Sequence, residues 1–88
     1  MASNAELIAR AKELVDEADA AFTRYNNQPT WDGVLAEDLS ELVDMAWLAL
    51  PVMKAADTLD KPELLQSTFT RIEKYCTRVI TCVKKQGW

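Results

Sequence analysis

Residues 65–83 read LQSTFTRIEKYCTRVITCV and contain the clearest structural signal in the chain. The apolar residues in this segment recur at alternating steps of four and three: Leu65, Phe69, Ile72, Cys76, Val79 and Val83. That spacing places them on one face of an α-helix and leaves the polar residues on the others. The segment therefore predicts an amphipathic helix that packs against at least one other helix.

The residues on either side of this segment set its expected ends. Asp60 is expected to cap the helix, because Asp is favoured at the N-cap, and Pro62 suits the first turn. At the other end, Lys84 and Lys85 suit the negative end of the helix dipole, and Gly87 suits a C-terminal cap. The predicted helix spans about 62–86.

A second amphipathic helix is predicted over about 4–26. Ser3 and Glu6 have the spacing of a capping box, and Asn26–Pro29 provide turn residues at the end. The apolar positions again follow four-three spacing: Leu7, Ala11, Leu14, Ala18, Ala21, Phe22 and Tyr25.

The segment between them predicts a helix over about 32–59, with Thr30 or Asp32 as its cap. Its expected core stripe also follows four-three spacing: Leu35, Leu39, Leu42, Ala46, Ala49, Met53 and Ala56. Pro51 removes the hydrogen bond that its own N–H would make to the carbonyl of Trp47. Because the stripe keeps its phase through Pro51, one kinked helix is favoured over two helices.

Composition and length agree with an all-α fold. The chain has 88 residues with only two Gly and three Pro, too few for the turns of a β-sandwich or barrel. Three helices of similar length joined by short connections predict a single domain, residues 1–88, folded as an antiparallel three-helix bundle. Phe22, Tyr25, Trp31, Val83 and Trp88 are expected to close one end of it.

Most enzyme chemistry is disfavoured. The chain contains no His, which is the usual general base and the commonest metal ligand. Cys76 and Cys82 are six residues apart on one predicted helix, about 9 Å by helical rise alone, too far for a disulfide. No glycine-rich phosphate loop and no calcium loop occurs in the sequence. We predict no catalytic residue, no cofactor and no metal.

The charge is unevenly distributed. Lys and Arg number 10 against 14 Asp and Glu, a net charge of −4. Residues 1–60 hold 12 acids and four bases, which gives −8, whereas residues 61–88 hold two acids and six bases, which gives +4. The N-terminus lacks the basic and apolar regions of a signal peptide, and the longest apolar run is too short to span a bilayer. A cytoplasmic protein without a membrane partner is expected.

The outer face of the second helix is the first candidate for a binding surface. On a helical wheel, Trp47 and Leu48 lie away from the expected core stripe, beside the acidic row of Glu37, Glu41 and Asp44. An exposed Trp next to Leu is typical of a protein interface. A closer fit of Trp47 into the bundle, by a kink or a rotated stripe, is the alternative interpretation.

A second candidate surface lies on the third helix. Arg71, Lys74, Tyr75 and Arg78 could contact nucleic acid by stacking and by phosphate binding, or form the rim of a protein interface. A half-buried Tyr between solvated arginines explains the same pattern without any binding. The net charge of −4 disfavours nucleic-acid binding.

The sequence thus predicts a non-catalytic protein–protein interaction module, a small regulator or inhibitor that occludes a partner protein. The alternatives are a nucleic-acid-binding module that uses the third helix and a structural homo-oligomer, such as a homodimer. The partner is not identified by the sequence, because a helical bundle serves many functions.

Overall fold

A computed structural model describes residues 3–29 and 32–87, and these residues form three α-helices without a strand. The helices are α1 (Asn4–Asn26), α2 (Gly33–Thr58) and α3 (Pro62–Lys85). Each helix packs against the other two. The side-chain amide of Asn4, at the start of α1, donates to the carboxylate of Asp57, near the end of α2, at 3.0 Å. The prediction of an all-α, antiparallel three-helix bundle is confirmed, and its helix ends are correct to within one residue.

The starts of α1 and α2 follow the predicted capping chemistry. The Ser3 hydroxyl accepts a hydrogen bond from the backbone N–H of Glu6 at 3.2 Å. The Asp32 carboxylate accepts from the backbone N–H groups of Val34 at 2.9 Å and Leu35 at 3.4 Å. These bonds satisfy donors that have no partner within the helix. Thr30, the other candidate cap, lies outside the described residues.

The turn between α2 and α3 corrects the predicted role of Asp60. The N-cap of α3 is Lys61, which makes no side-chain capping bond. Asp60 instead has a φ of +53° and lies just past the C-terminus of α2. Its N–H donates to the carbonyl of Asp57 at 3.2 Å, and the N–H of Lys61 donates to that of Ala56 at 2.8 Å. This pair of bonds is the Schellman motif, which closes a helix through one left-handed residue.

The other expected features of helix continuity and termination are present. The helix α2 continues without a break through Pro51, so the prediction of one helix is confirmed. At the end of α3, Gly87 has a φ of +88° and its N–H donates to the carbonyl of Lys84 at 2.9 Å. Gly is suited to this left-handed conformation because it has no Cβ.

The core stripes of α1 and α3 lie where the sequence predicts them. All six predicted positions of α3 are buried, and Thr68 is buried beside them. In α1 the buried residues are Ala11, Leu14, Val15, Ala18, Ala21 and Tyr25. Val15 was not predicted in the α1 stripe, and Leu7, which was predicted there, is only half-buried. Three of the six buried α1 residues are Ala, whereas branched and aromatic side chains dominate α3. The end of the bundle contains buried Tyr25 and Val83 and half-buried Phe22. Trp31 and Trp88, also expected there, lie outside the described residues.

The core stripe of α2 is rotated from its predicted position. The buried residues are Ala36, Leu39, Val43, Ala46, Leu50, Met53 and Ala56. Leu35, Leu42 and Ala49, expected at the centre of the stripe, are only half-buried. Both sets recur every seven residues and both are apolar, so the helical period fits either one. The two sets share Leu39, Ala46, Met53 and Ala56, and the centre of the buried face moves toward Val43 and Leu50, a turn of the helix by roughly 45° from its predicted orientation.

Candidate protein-binding surface

The large apolar side chains that remain exposed are concentrated in one part of the chain. Among the described residues they all fall between positions 34 and 64: Val34, Met45, Trp47, Leu48, Val52, Leu59 and Leu64. The helix α1 contributes none of them. Single exposed apolar residues are common, but a concentration on one helix, the turn after it and the start of the next helix marks a candidate interaction surface.

Four of these residues meet in a groove between α2 and α3. Met45, Leu48 and Val52 border it from α2, and Leu64 borders it from α3. The remaining lining residues are Ala49, Ser67, Thr68, Arg71 and Tyr75. Leu48 is 73% exposed, whereas Met45, Val52 and Leu64 are each a little over 40% exposed. An apolar surface with a few polar groups at its edge is thus open to solvent along this groove.

The groove continues toward the N-terminus of α2 with a different character. Met45 also borders this second part, where Asp38 and Glu41 from α2 face Arg78 and Cys82 from α3. Its floor is formed by Leu35, Leu39 and Leu42. We refer to the two parts together as the α2–α3 groove. It thus has an apolar half near Leu48 and a charged half near Glu41.

The carboxylates of this region lack ion-pair partners. Within the described residues there are two ion pairs, Arg10–Glu13 at 3.2 Å and Lys12–Asp16 at 2.7 Å, and both lie within α1. Glu37, Glu41 and Asp44 are exposed, as the sequence predicts for the outer face of α2. Their charges are therefore available to a partner.

Trp47 is exposed, as predicted, and its ring also contacts α1. The Lys12 ammonium of α1 lies 4.6 Å from the centre of its ring, in a cation–π contact, and the residue is 36% exposed. Because the core stripe of α2 is rotated, Trp47 lies on the flank that faces α1, and Leu48 lies nearer to α3. Trp47 and Leu48 are thus both exposed but lie on different sides of α2, and the residues that line the α2–α3 groove do not include Trp47.

Residues from both predicted surfaces, on α2 and on α3, border the same groove in the structure. Leu48 from the first set borders the same groove as Arg71 and Tyr75 from the second. Glu41 likewise shares the charged half with Arg78. Lys74 is not part of the groove and lies on the outer side of α3, near Thr70, Thr77 and Lys85.

Several residues of the groove were not predicted as site residues, and Met45 and Val52 are the exposed apolar ones on α2. They lie three residues before and four residues after Leu48, so they share its side of the helix. The same four-three spacing that identifies a core stripe could have found them once Leu48 was taken as the centre of an exposed stripe.

The two cysteines differ in environment, and both are free thiols. Cys76 is fully buried, and this burial, with a smaller contribution from the charge of Glu17, raises the pKa of its thiol from 9.0 to about 11. Cys82 is half-buried and borders the groove. In the described part of the chain no group of three or more potential metal ligands comes together.

None of the three described helices is both long enough and apolar enough to cross a membrane. Comparison of the chain with protein-family models, with curated protein sequences and with solved structures gave no match.

Proposed function

We propose that this protein is a non-catalytic protein-binding module that binds its partner in the α2–α3 groove. A small helical bundle with an exposed apolar groove acts most simply by covering part of its partner, so we propose a regulator or inhibitor that works by occlusion. Its two free thiols favour action in a reducing compartment such as the cytosol.

The exposure of Leu48 carries this proposal. Leu48 is 73% exposed, with Met45 and Val52 one turn away on either side and Leu64 across the groove. Burial of apolar surface stabilises a complex by roughly 25 cal/mol per Å². A partner that covers these four side chains therefore gains stabilisation that the isolated bundle does not have.

Leu48→Glu and Val34→Glu form a matched pair of variants for testing this proposal. Both positions are on α2, both are 73% exposed, and both substitutions add one negative charge. Val34 lies about 21 Å from Leu48 along the helix, outside the groove. In pull-downs from the cell of origin, compared by quantitative mass spectrometry, Leu48→Glu should lose a specific partner that wild type and Val34→Glu retain. Equal capture by both variants would show that the groove is not the binding surface.

A structural homo-oligomer remains the first alternative, because a second copy could cover the same apolar side chains. Analytical ultracentrifugation distinguishes it: a 9.9 kDa species for wild type across a wide concentration range excludes self-association. If wild type is a dimer that Leu48→Glu dissociates and Val34→Glu leaves intact, the partner in the groove is a second copy of this chain and not another protein.

Nucleic-acid binding through α3 is the second alternative. Arg71 and Arg78 are exposed, but Arg78 shares its part of the groove with Asp38 and Glu41, which would repel phosphates. Titration with mixed oligonucleotides across a salt series tests it, since phosphate contacts make affinity fall steeply with salt. We expect no binding at physiological ionic strength.

A further inference from the structure

The two edges of the α2–α3 groove carry opposite charge. Asp38 and Glu41 lie along the α2 edge, whereas Arg71 and Arg78 lie along the α3 edge. All four side chains are exposed, and none of them forms an ion pair with another described residue. In the charged half, Leu35, Leu39 and Leu42 line the groove together with Asp38 and Glu41 from α2 and Arg78 from α3. In the apolar half, the only charged residue among the described ones that borders the groove is Arg71, from α3. The groove is therefore apolar along its length, with its acidic groups on the α2 side and its basic groups on the α3 side.

We propose that the occupant of this groove is a single amphipathic helix of another protein, with an apolar stripe, basic residues on the flank facing α2 and acidic residues on the flank facing α3. This proposal rests on the function proposed above and specifies the partner's chemistry. The arrangement corresponds to the charged flanking positions of a coiled coil, which select a partner by pairing opposite charges beside an apolar seam. The partner helix would complete a four-helix bundle.

The dimensions of the groove favour one helix over a larger partner surface. A stable interface between globular proteins buries about 800 Å² on each side and involves about 20–30 residues. Here only four large exposed side chains border the groove, Met45, Leu48 and Val52 from α2 and Leu64 from α3. A helix bound in a groove needs only a few apolar anchors on one of its faces, so a surface of this size suffices for it. From Leu35 to Val52 the groove is about 26 Å long, the length of a helix of about five turns.

Three stapled helical peptides of about 18 residues, with the same leucine stripe, test the proposal. The first has Lys on one flank and Glu on the other, the second has Lys on both flanks, and the third has Glu on both. At 0.15 M salt we expect the Lys/Glu peptide to bind about fivefold more tightly than either of the others, because each of those places like charges against one edge. Equal affinities for all three, or no binding to any, would overturn the proposal.

Variants of the protein then locate the binding. Leu48→Glu should weaken the Lys/Glu peptide by more than about tenfold, whereas Val34→Glu should leave its affinity unchanged. Glu41→Lys should strengthen the all-Glu peptide about threefold, whereas Glu73→Lys, the same charge change on the outer side of α3, should not. Binding that ignores Leu48→Glu, or that responds equally to both lysine variants, would contradict the proposal.

The outcomes separate the occupant from the proposed function. If Leu48→Glu abolishes capture of the cellular partner and no peptide binds, the protein binds a partner there but not through a single helix of this kind. If capture ignores Leu48→Glu, the groove is not the functional surface, whatever the peptides do. A dimer in ultracentrifugation would identify the occupant as a second copy and also overturn this proposal.

Discussion

The hydroxyl of Tyr25 accepts a hydrogen bond from the backbone N–H of Asp32 at 3.0 Å, and so connects the end of α1 to the cap of α2. The Tyr25 ring is buried, with 1% of the residue exposed. The substitution Tyr25→Phe keeps the packing of the ring but leaves that N–H without its acceptor. We expect a loss of about 1 kcal/mol in the free energy of unfolding, measured by urea denaturation.

The control for Tyr25→Phe is Tyr75→Phe, at a half-buried tyrosine without a described hydrogen bond. It should change the stability by less than about 0.5 kcal/mol. If both variants lose the same stability, the bond from Asp32 is not the cause.

Asp60 holds a conformation that costs energy for a residue with a Cβ. At a φ of +53° it lies in the left-handed region, which is about 1–2 kcal/mol less favourable for most residues and somewhat less so for Asp. Asp60→Gly should therefore stabilise the protein by about 0.5–1 kcal/mol and raise the Tm by several degrees, measured by differential scanning calorimetry. Asp60→Ala removes the carboxylate but retains a Cβ. If it stabilises as much as Gly does, the gain comes from the charge and not from the backbone.

Burial of Cys76 predicts a loss of stability at alkaline pH. Its pKa is about 11 in the folded chain and 9.0 for an ordinary thiol, so between these values the unfolded chain loses a proton that the folded chain keeps. The contribution is fully present below pH 9 and is lost as the pH rises toward 11. It amounts to roughly 3 kcal/mol at most. Urea denaturation at pH 8, 9 and 10 measures it.

Two alanine variants isolate this contribution from the titration of lysines and tyrosines. Cys76→Ala should flatten the fall in stability above pH 9, and Cys82→Ala, at the half-buried thiol, should retain it. Because Cys76 is fully buried and Cys82 only half-buried, a thiol reagent at pH 8 should modify Cys82 in the native protein and should reach Cys76 only on unfolding. Rapid native modification of Cys76 would contradict the assigned burial.

Truncation of the adjacent α2 residues Trp47 and Leu48 to Ala should affect the free energy of unfolding very differently. Trp47 packs toward α1 under the Lys12 ammonium, so Trp47→Ala should cost about 1–2 kcal/mol of stability. Leu48 is 73% exposed, so Leu48→Ala should cost less than about 0.5 kcal/mol. Chemical denaturation of both variants distinguishes a structural residue from a surface one. A reversed order would place Leu48, and not Trp47, in the packing of the bundle.

The sequence was sufficient for the helices but not for the orientation of α2. The stripe of α3 is bordered by polar residues such as Thr70 and Lys74, so only one face can be buried. Around α2, by contrast, Leu42 and Val43 are neighbours, as are Ala49 and Leu50, and either member of each pair fits the helical period. Which member of each pair is buried depends on how α2 packs against the side chains of α1 and α3. The spacing of apolar residues within α2 carries no information about that packing. For the same reason the contact of Trp47 with Lys12 of α1 was not predicted, although its exposure was.

Asp60 and the groove illustrate two further limits. Asp is favoured at a helix N-cap and is also tolerated in the left-handed conformation past a helix end, so residue type alone does not separate these roles. The exposed residues Leu48 and Arg78 were both identified from the sequence. That they border one groove depends on the packing of α2 against α3, which joins residues 30 positions apart.

Pro51 has a consequence for the unfolded chain as well as for α2. It lies within the apolar run of residues 45–53, which includes both the buried Leu50 and the exposed Leu48. While the chain is unfolded, such a run is the kind of segment that pairs with another copy as a β-strand and starts aggregation. Proline has no N–H to donate to a strand ladder, so this run cannot form an uninterrupted strand. Pro51 costs α2 one hydrogen bond, but it also protects the folding chain from aggregation. It does so within residues 45–53, which contribute both to the core and to the proposed binding surface.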